Sequence, residues 1–180
     1  MRIPASLALL ALSGWVVLAS SLAAQTNPDE KTLVKAIRAG KQAAGADPQF
    51  VKAVQRIDDL RGQLEFDAAG RLIGVDLASD RISVADVEVG ILPALPNLKR
   101  LKLSGAITNE GARKISTITG LTELALQDSQ IDNQGLQTLT RLVNLASLSL
   151  QRAVNLNDEG LEYLKRFPKL TSLALIRDMM

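Results

Sequence analysis

Leucines recur along this chain in the pattern Leu-x-x-Leu-x-Leu. Four copies follow one another at intervals of 23 to 25 residues, and a weaker copy lies 26 residues before the first of them. The copies are Leu72/Val75/Leu77, Leu98/Leu101/Leu103, Leu121/Leu124/Leu126, Leu145/Leu148/Leu150 and Leu170/Leu173/Leu175. Because side chains alternate across a strand, the last two leucines of each copy point to one side. The pattern therefore predicts one short strand per copy, stacked as a parallel sheet with one apolar side.

A short helix is predicted after each strand. A few small or polar residues and one apolar residue follow the strand, and then comes a residue whose side-chain oxygen can accept a backbone N–H at a helix N-cap. These N-cap candidates are Ser83, Thr108, Asp132 and Asn157, and residues 83–86 also have the spacing of a capping box. Apolar positions three residues apart mark one helix face; they are Ala112/Ile115/Ile118, Leu136/Leu139/Leu142 and Leu161/Leu164/Phe167.

This combination resembles the leucine-rich repeat. The stretches Ile-Thr-Asn-Glu-Gly at 107–111, Ile-Asp-Asn-Gln-Gly at 131–135 and Leu-Asn-Asp-Glu-Gly at 156–160 are similar to the short-repeat type of secreted bacterial proteins. The resemblance covers residues 72–180, with units at about 72–97, 98–120, 121–144, 145–169 and a partial unit at 170–180. It implies an α/β solenoid, a right-handed βα superhelix with a curved parallel sheet of about five strands and short convex-side helices. It also implies that partners bind the concave strand face.

One position departs from the family pattern. Many leucine-rich repeats carry Asn or Cys just after the strand, where the side chain bonds neighbouring backbone. Here the position holds Asp80, Ala106, Ser129 and Ala153. Because alanine has no polar side-chain atom, we expect backbone hydrogen bonds or water to hold these turns.

Residues 1–24 have the layout of a secretory signal peptide. Arg2 is the only charge before Asp29, residues 7–18 are apolar, and Ser21, Ala23 and Ala24 supply a small-residue exit. The alternative is an uncleaved membrane anchor, because residues 3–24 contain no charge and are long enough to span a bilayer. Either interpretation predicts an exported protein, secreted or held in the periplasm or cell envelope.

Residues 25–71 are predicted to form a linker and an N-terminal cap. Leu33, Val34 and Ile37 indicate one helix, and Asp47-Pro48 begins a second that contains Phe50, Val51, Val54, Ile57 and Leu60. Residues 64–66 and 72–75 alternate around a turn at 67–70 and predict a hairpin. At the other end no helix is predicted after the last strand. We therefore expect that strand to be an exposed edge at which Leu173 and Ile176 can drive self-association.

Composition argues against catalysis. The chain contains no histidine and no cysteine, so His-based triads, His zinc sites and disulfides are excluded. Phosphate-binding glycine motifs are absent, which predicts no cofactor. The carboxylate pairs Asp58/Asp59 and Asp158/Glu159 are neighbours in sequence and are explained as helix surface, and Asp128, Asp132 and Asn133 are too few for a calcium site. A formal net charge of +2 without a basic block predicts no nucleic-acid partner.

The sequence therefore favours a non-catalytic, exported module that contacts a protein or a glycan. Its expected contact residues project from the concave strand face; they are Arg100, Lys102, Glu123, Gln127, Gln151 and Arg152. Alternation also predicts that Asp76 lies beside Lys102 and Arg100 beside Glu123. The alternative is a structural envelope protein, a homo-oligomer joined through the C-terminal edge. A membrane is a partner only if the leader remains as an anchor.

Overall fold

A computed structural model describes residues 29–40, 46–79, 82–153 and 155–176. The strands are β1 Gln63–Phe66, β2 Leu72–Leu77, β3 Arg100–Ser104, β4 Glu123–Gln127, β5 Ser147–Gln151 and β6 Ser172–Ile176. The helices are α1 Glu30–Arg38, α2 Pro48–Asp59, α3 Asp86–Val89, α4 Asn109–Ile115, α5 Asn133–Leu139 and α6 Asp158–Leu161, with short 3₁₀ segments at Leu92–Ala94 and Glu162–Arg166. The leader predicted at residues 1–24 lies outside the described residues, as do Asp80 and residues 177–180.

The strands form one sheet in which their order follows the chain, β1-β2-β3-β4-β5-β6. Strands β2 to β6 are parallel to their neighbours, whereas β1 pairs with β2 antiparallel and has a bulge between Glu65 and Phe66. The hairpin predicted at residues 64–75 is therefore present. The prediction of an α/β fold with a parallel sheet is confirmed at this level.

The leucines line up across the sheet in two rows. One apolar row is Val75, Leu101, Leu124, Leu148 and Leu173, and the other apolar row is Leu77, Leu103, Leu126, Leu150 and Leu175. From β2 to β5 these side chains are at most 2% exposed, and they share one core with the apolar faces of the helices. Leu173 and Leu175 are both 44% exposed, because β6 is the edge strand of the described sheet.

Three of the four predicted helix starts are correct. Thr108, Asp132 and Asn157 are N-caps, and each side chain accepts a backbone N–H of its own helix. The prediction for Ser83 and its capping box is wrong, because α3 begins after Ala85. The Val84 N–H donates to Ser104 O (2.8 Å), and the Ala85 N–H donates to the Glu88 carboxylate.

The first residue of α3, of α4 and of α5 hydrogen-bonds the N-cap of the next helix. Side-chain oxygens of Asp86, Asn109 and Asn133 accept the backbone N–H of the following N-cap at 2.9, 3.2 and 3.3 Å, respectively. The third helical residue of the next helix is glycine, at positions 111, 135 and 160, and a β-carbon there would overlap these same side chains. The Asn-x-Gly part of the repeated motif is therefore explained by close packing between successive helices.

The turns after the strands use backbone hydrogen bonds. Ile107 N donates to Gly105 O (2.7 Å) and Gln130 N donates to Ile107 O (2.9 Å). The hydroxyl oxygen of Ser129 is buried and has no hydrogen-bond partner among the described residues. Ser129 therefore contributes no side-chain hydrogen bond to its turn within the described part of the chain.

Helices α1 and α2 pack against the first units of the sheet. The Asp47 N-cap and first-turn Pro48 predicted for α2 are present, and Phe50 and Ile57 are buried. The Glu30 carboxylate of α1 accepts hydrogen bonds from the Leu72 backbone and from Asn97 Nδ2 (2.8 Å). Within the described ranges, no helix has both the length and the apolar character needed to cross a bilayer.

Candidate binding face of the sheet

Residues that alternate with the leucines form the opposite surface of the sheet, which we call the open face. In-register pairing arranges them in three rows. The first row is Glu65, Gly74, Arg100, Glu123, Ser147 and Ser172; the second is Gln63, Asp76, Lys102, Ala125, Ser149 and Ala174; the third is Ser104, Gln127, Gln151 and Ile176. Five of the six predicted contact residues therefore share one surface, and Arg152 follows directly after β5.

Arg100 forms an ion pair that the sequence did not predict. Its register neighbours are Gly74 on β2 and Glu123 on β4, but its guanidinium pairs with Glu65 on β1. Gly74 explains this choice, because a β-carbon there would lie 2.8 Å from Glu65 Oε2 and 2.9 Å from Glu65 Cβ. Without a side chain at position 74, Glu65 reaches across β2 to Arg100.

Lys102 lies beside Asp76, as alternation predicted. The two residues are register partners, and Lys102 Nζ is 3.9 Å from Asp76 Oδ2. Both side chains are more than a third exposed, so the pair contributes at most about 1 kcal/mol to stability. Asp76 also accepts the backbone N–H of Ala78 at 2.9 Å, which fixes the carboxylate at the end of its strand.

Arg152 pairs with Asp128 one strand away. Guanidinium nitrogens of Arg152 contact both carboxylate oxygens of Asp128, with Nη2 at 2.6 Å from Oδ2. Both residues have positive φ, 57° at Asp128 and 56° at Arg152, and each follows the last residue of its strand. The hydrogen bond from Arg152, with a smaller contribution from the Ser104 hydroxyl, lowers the pKa of Asp128 despite some desolvation.

Glu123 is the one acid of these rows that forms no ion pair among the described residues. Its register neighbours are Arg100, which pairs with Glu65, and Ser147. The nearby positions of the second row are Ala125 and Ser149, so small side chains surround this carboxylate on the β5 side. Gln127 and Gln151 are register partners farther along the same strands, and both are partly exposed.

A recess of about 460 Å³ opens on this face at the β1 to β4 side. Its lining includes all three carboxylates of Glu65, Asp76 and Glu123 and both cations of Arg100 and Lys102. The Arg100 Nε atom is buried and has no hydrogen-bond partner within the described part of the chain. The recess therefore offers charged and polar groups of both signs to a ligand.

The predicted self-association residues lie on opposite sides of β6. Leu173 continues the apolar row through Leu148, whereas Ile176 pairs with Gln151 on the open face. Leu173, Leu175 and Ile176 are 44, 44 and 46% exposed, so the exposed edge also includes Leu175, which was not among the predicted residues. A second recess of about 420 Å³, lined by Leu150, Leu161, Leu175 and Asp158 among others, lies at this end.

No family model matches this chain, and no curated protein matches it. Among the described residues no cluster of three or more acidic side chains is arranged to hold a metal ion. The open face carries paired charges, one carboxylate without an ion pair, amides and hydroxyls, all of which are able to form hydrogen bonds or ion pairs.

Proposed function

We propose that the chain is an exported, non-catalytic binding module of the leucine-rich-repeat type, which contacts a protein or glycan through the open face of its sheet. In this proposal the parallel units form a curved solenoid, the open face is its concave side, and α1, α2 and the hairpin are its N-terminal cap. The observation that carries the proposal is the unbroken register from β2 to β6. It gathers polar side chains from five strands on one surface without any strand leaving the sheet.

The ion pairs on this face are compatible with binding. The Arg100 and Lys102 side chains are 38 and 46% exposed, and exposed pairs of this kind contribute little to stability. A partner can therefore exchange such a pair for its own contacts at small cost. Before a partner binds, each ion pair restricts a long side chain, which reduces the conformational entropy lost on binding.

Charge reversal tests this proposal. The double variant Arg100→Glu/Lys102→Glu should lose most binding to a partner isolated with the wild-type chain from the native envelope. The matched control is Arg113→Glu/Lys165→Glu, which reverses two exposed cations on the helical side, each paired three residues away along the chain. Wild-type binding by the open-face variant would refute the proposal, whereas loss of binding only in the control would move the interface to the helices.

A second candidate is a structural protein that self-associates through β6. It is favoured by the three exposed apolar side chains of this strand and by the neighbouring apolar recess. Charged side chains and proline commonly protect edge strands against pairing. Residues 172–176 contain neither. Sedimentation should then show a dimer or larger assembly that Leu173→Glu and Ile176→Glu each weaken. The exposed-valine control, Val87→Glu on α3, should leave the assembly unchanged.

A further inference from the structure

The recess on the open face carries one more negative than positive charge. Three carboxylates line it, Glu65, Asp76 and Glu123, against the two cations of Arg100 and Lys102. The whole chain, in contrast, has a formal net charge of +2. The negative excess is therefore a local property of this recess and does not reflect the net charge of the whole chain.

The excess is located at Glu123. Arg100 lies between two carboxylates, Glu65 and Glu123, in the first row, and it pairs with Glu65. Gly74 makes that pairing possible, because any β-carbon at this position would crowd Glu65. Lys102 is in the second row and lies near Asp76 instead. The backbone thus directs both cations toward the β1 and β2 side and leaves Glu123 open on the other side.

Small side chains surround Glu123 toward β5. Ala125, Ser147 and Ser149 are its neighbours in the two rows, and all three are partly exposed. This leaves a shelf beside the carboxylate that can accept a long side chain of a partner. The hydroxyls of Ser147 and Ser149 can also accept hydrogen bonds from an ammonium or guanidinium group.

We propose that Glu123 recognises a basic side chain, Lys or Arg, of a protein partner that lies across the shelf formed by Ala125, Ser147 and Ser149. The inference rests on the proposed function and narrows its partner from a protein or glycan to a protein segment with a positive charge. A cation at this place continues the first row in alternating order, with Glu65 negative, Arg100 positive, Glu123 negative and the partner positive. Charge complementarity of this kind selects partners by sign.

The test is a nuclear magnetic resonance titration of the ¹⁵N-labelled full chain with three probes. The probes are blocked tri-lysine, blocked tri-glutamate and the neutral sugar maltotriose. Tri-lysine should shift the amide resonances of residues 123–125 and 147–149, and the other two probes should not. The Glu123→Gln variant should bind tri-lysine about fivefold more weakly.

Glu159→Gln is the matched control, since it removes the same charge from an exposed helical position. It should leave tri-lysine binding unchanged. If tri-glutamate or maltotriose shifts the open-face amides and tri-lysine does not, the inference is wrong while the proposed binding face survives. Equal weakening by Glu123→Gln and Glu159→Gln would also overturn the inference. Absence of open-face shifts with every probe would count against the proposed function itself.

Discussion

The side chain of Asn133 fills the space that a β-carbon on Gly160 would need. Asn133 begins α5, and its side-chain oxygen accepts the Asn157 backbone N–H at 3.3 Å, while its amide nitrogen donates to Asn157 Oδ1 at 2.6 Å. A β-carbon at Gly160 would overlap the same side chain and would lie 2.7 Å from Asn133 Cγ. The hydrogen bonds and the glycine are thus two parts of one contact between successive units.

Gly160→Ala should destabilise the protein by about 1–3 kcal/mol, because overpacking in a tight contact forces its neighbours apart. The free energy of unfolding in urea measures this cost. Gly120→Ala is the control, since the nearest atom to its added β-carbon is Leu98 O at 3.4 Å. A similar cost at both glycines would refute the proposed contact.

Removing the Asn133 side chain should relieve the destabilisation caused by Gly160→Ala. All three atoms that a β-carbon on Gly160 would approach most closely belong to Asn133. Asn133→Ala alone should cost about 1 kcal/mol for its lost hydrogen bonds. In that background Gly160→Ala should cost little, so the double-mutant cycle should give a clear coupling. Additive costs in the cycle would mean that the glycine is required for another reason.

The Asp132 N-cap should make part of the stability depend on pH. Burial alone raises the pKa of this carboxyl, but hydrogen bonds from Asn109 and from the Gly135 and Gln134 backbone N–H groups outweigh it, so its pKa is lowered. The folded state therefore binds this proton less readily than the unfolded state. The contribution of the carboxylate is present above the unfolded pKa of about 4 and is lost as pH falls through the folded value.

Asp132→Asn keeps a side-chain acceptor at the cap and removes the titration. The difference in unfolding free energy between wild type and this variant should favour the wild type at neutral pH and shrink on acidification to about pH 2.5. Urea unfolding of both proteins across this range measures the difference. A difference that stays constant with pH would contradict the lowered pKa.

The core leucines should differ in importance along one row. Leu124 is fully buried and Leu173 is 44% exposed, although both belong to the same row of the sheet. Leu124→Ala should therefore cost about 2–5 kcal/mol, whereas Leu173→Ala should cost clearly less. If Leu173→Ala is as costly as Leu124→Ala, and increasingly so at higher protein concentration, then β6 is covered by a second copy in solution.

Much of this fold could be predicted from periodicity. Leucine spacing determined the strands, because each leucine pair two residues apart must bury one side. The N-caps Thr108, Asp132 and Asn157 were found by residue type. The prediction for Ser83 was wrong because α3 begins at Asp86. Like Asn109 and Asn133, Asp86 is the first residue of its helix and accepts a hydrogen bond from the next N-cap, Thr108. That contact joins residues 22 positions apart and has no local signal.

The site was predicted only in part. Strand alternation predicted that Asp76 lies beside Lys102 and that Arg100 lies beside Glu123, and the observed register confirms both pairs of neighbours. The ion pair of Arg100 with Glu65 was missed, because it depends on the hairpin strand β1 and on the absence of a side chain at Gly74. The Asn-x-Gly contacts were also missed as a structural device. The repeated Asn/Asp-x-Gly spacing was a signal of these contacts, but it is visible only when the repeats are compared with one another.

The most direct test of binding through the open face is site-specific photo-crosslinking in the cells that produce the protein. One crosslinker replaces Ser149 on the open face, and a control crosslinker replaces Gln137, an exposed residue of α5. Mass spectrometry of the products should identify a partner captured from position 149 and not from 137, through a segment that carries a basic side chain. Capture of the same partner from position 137 with equal or greater yield would contradict binding through the open face.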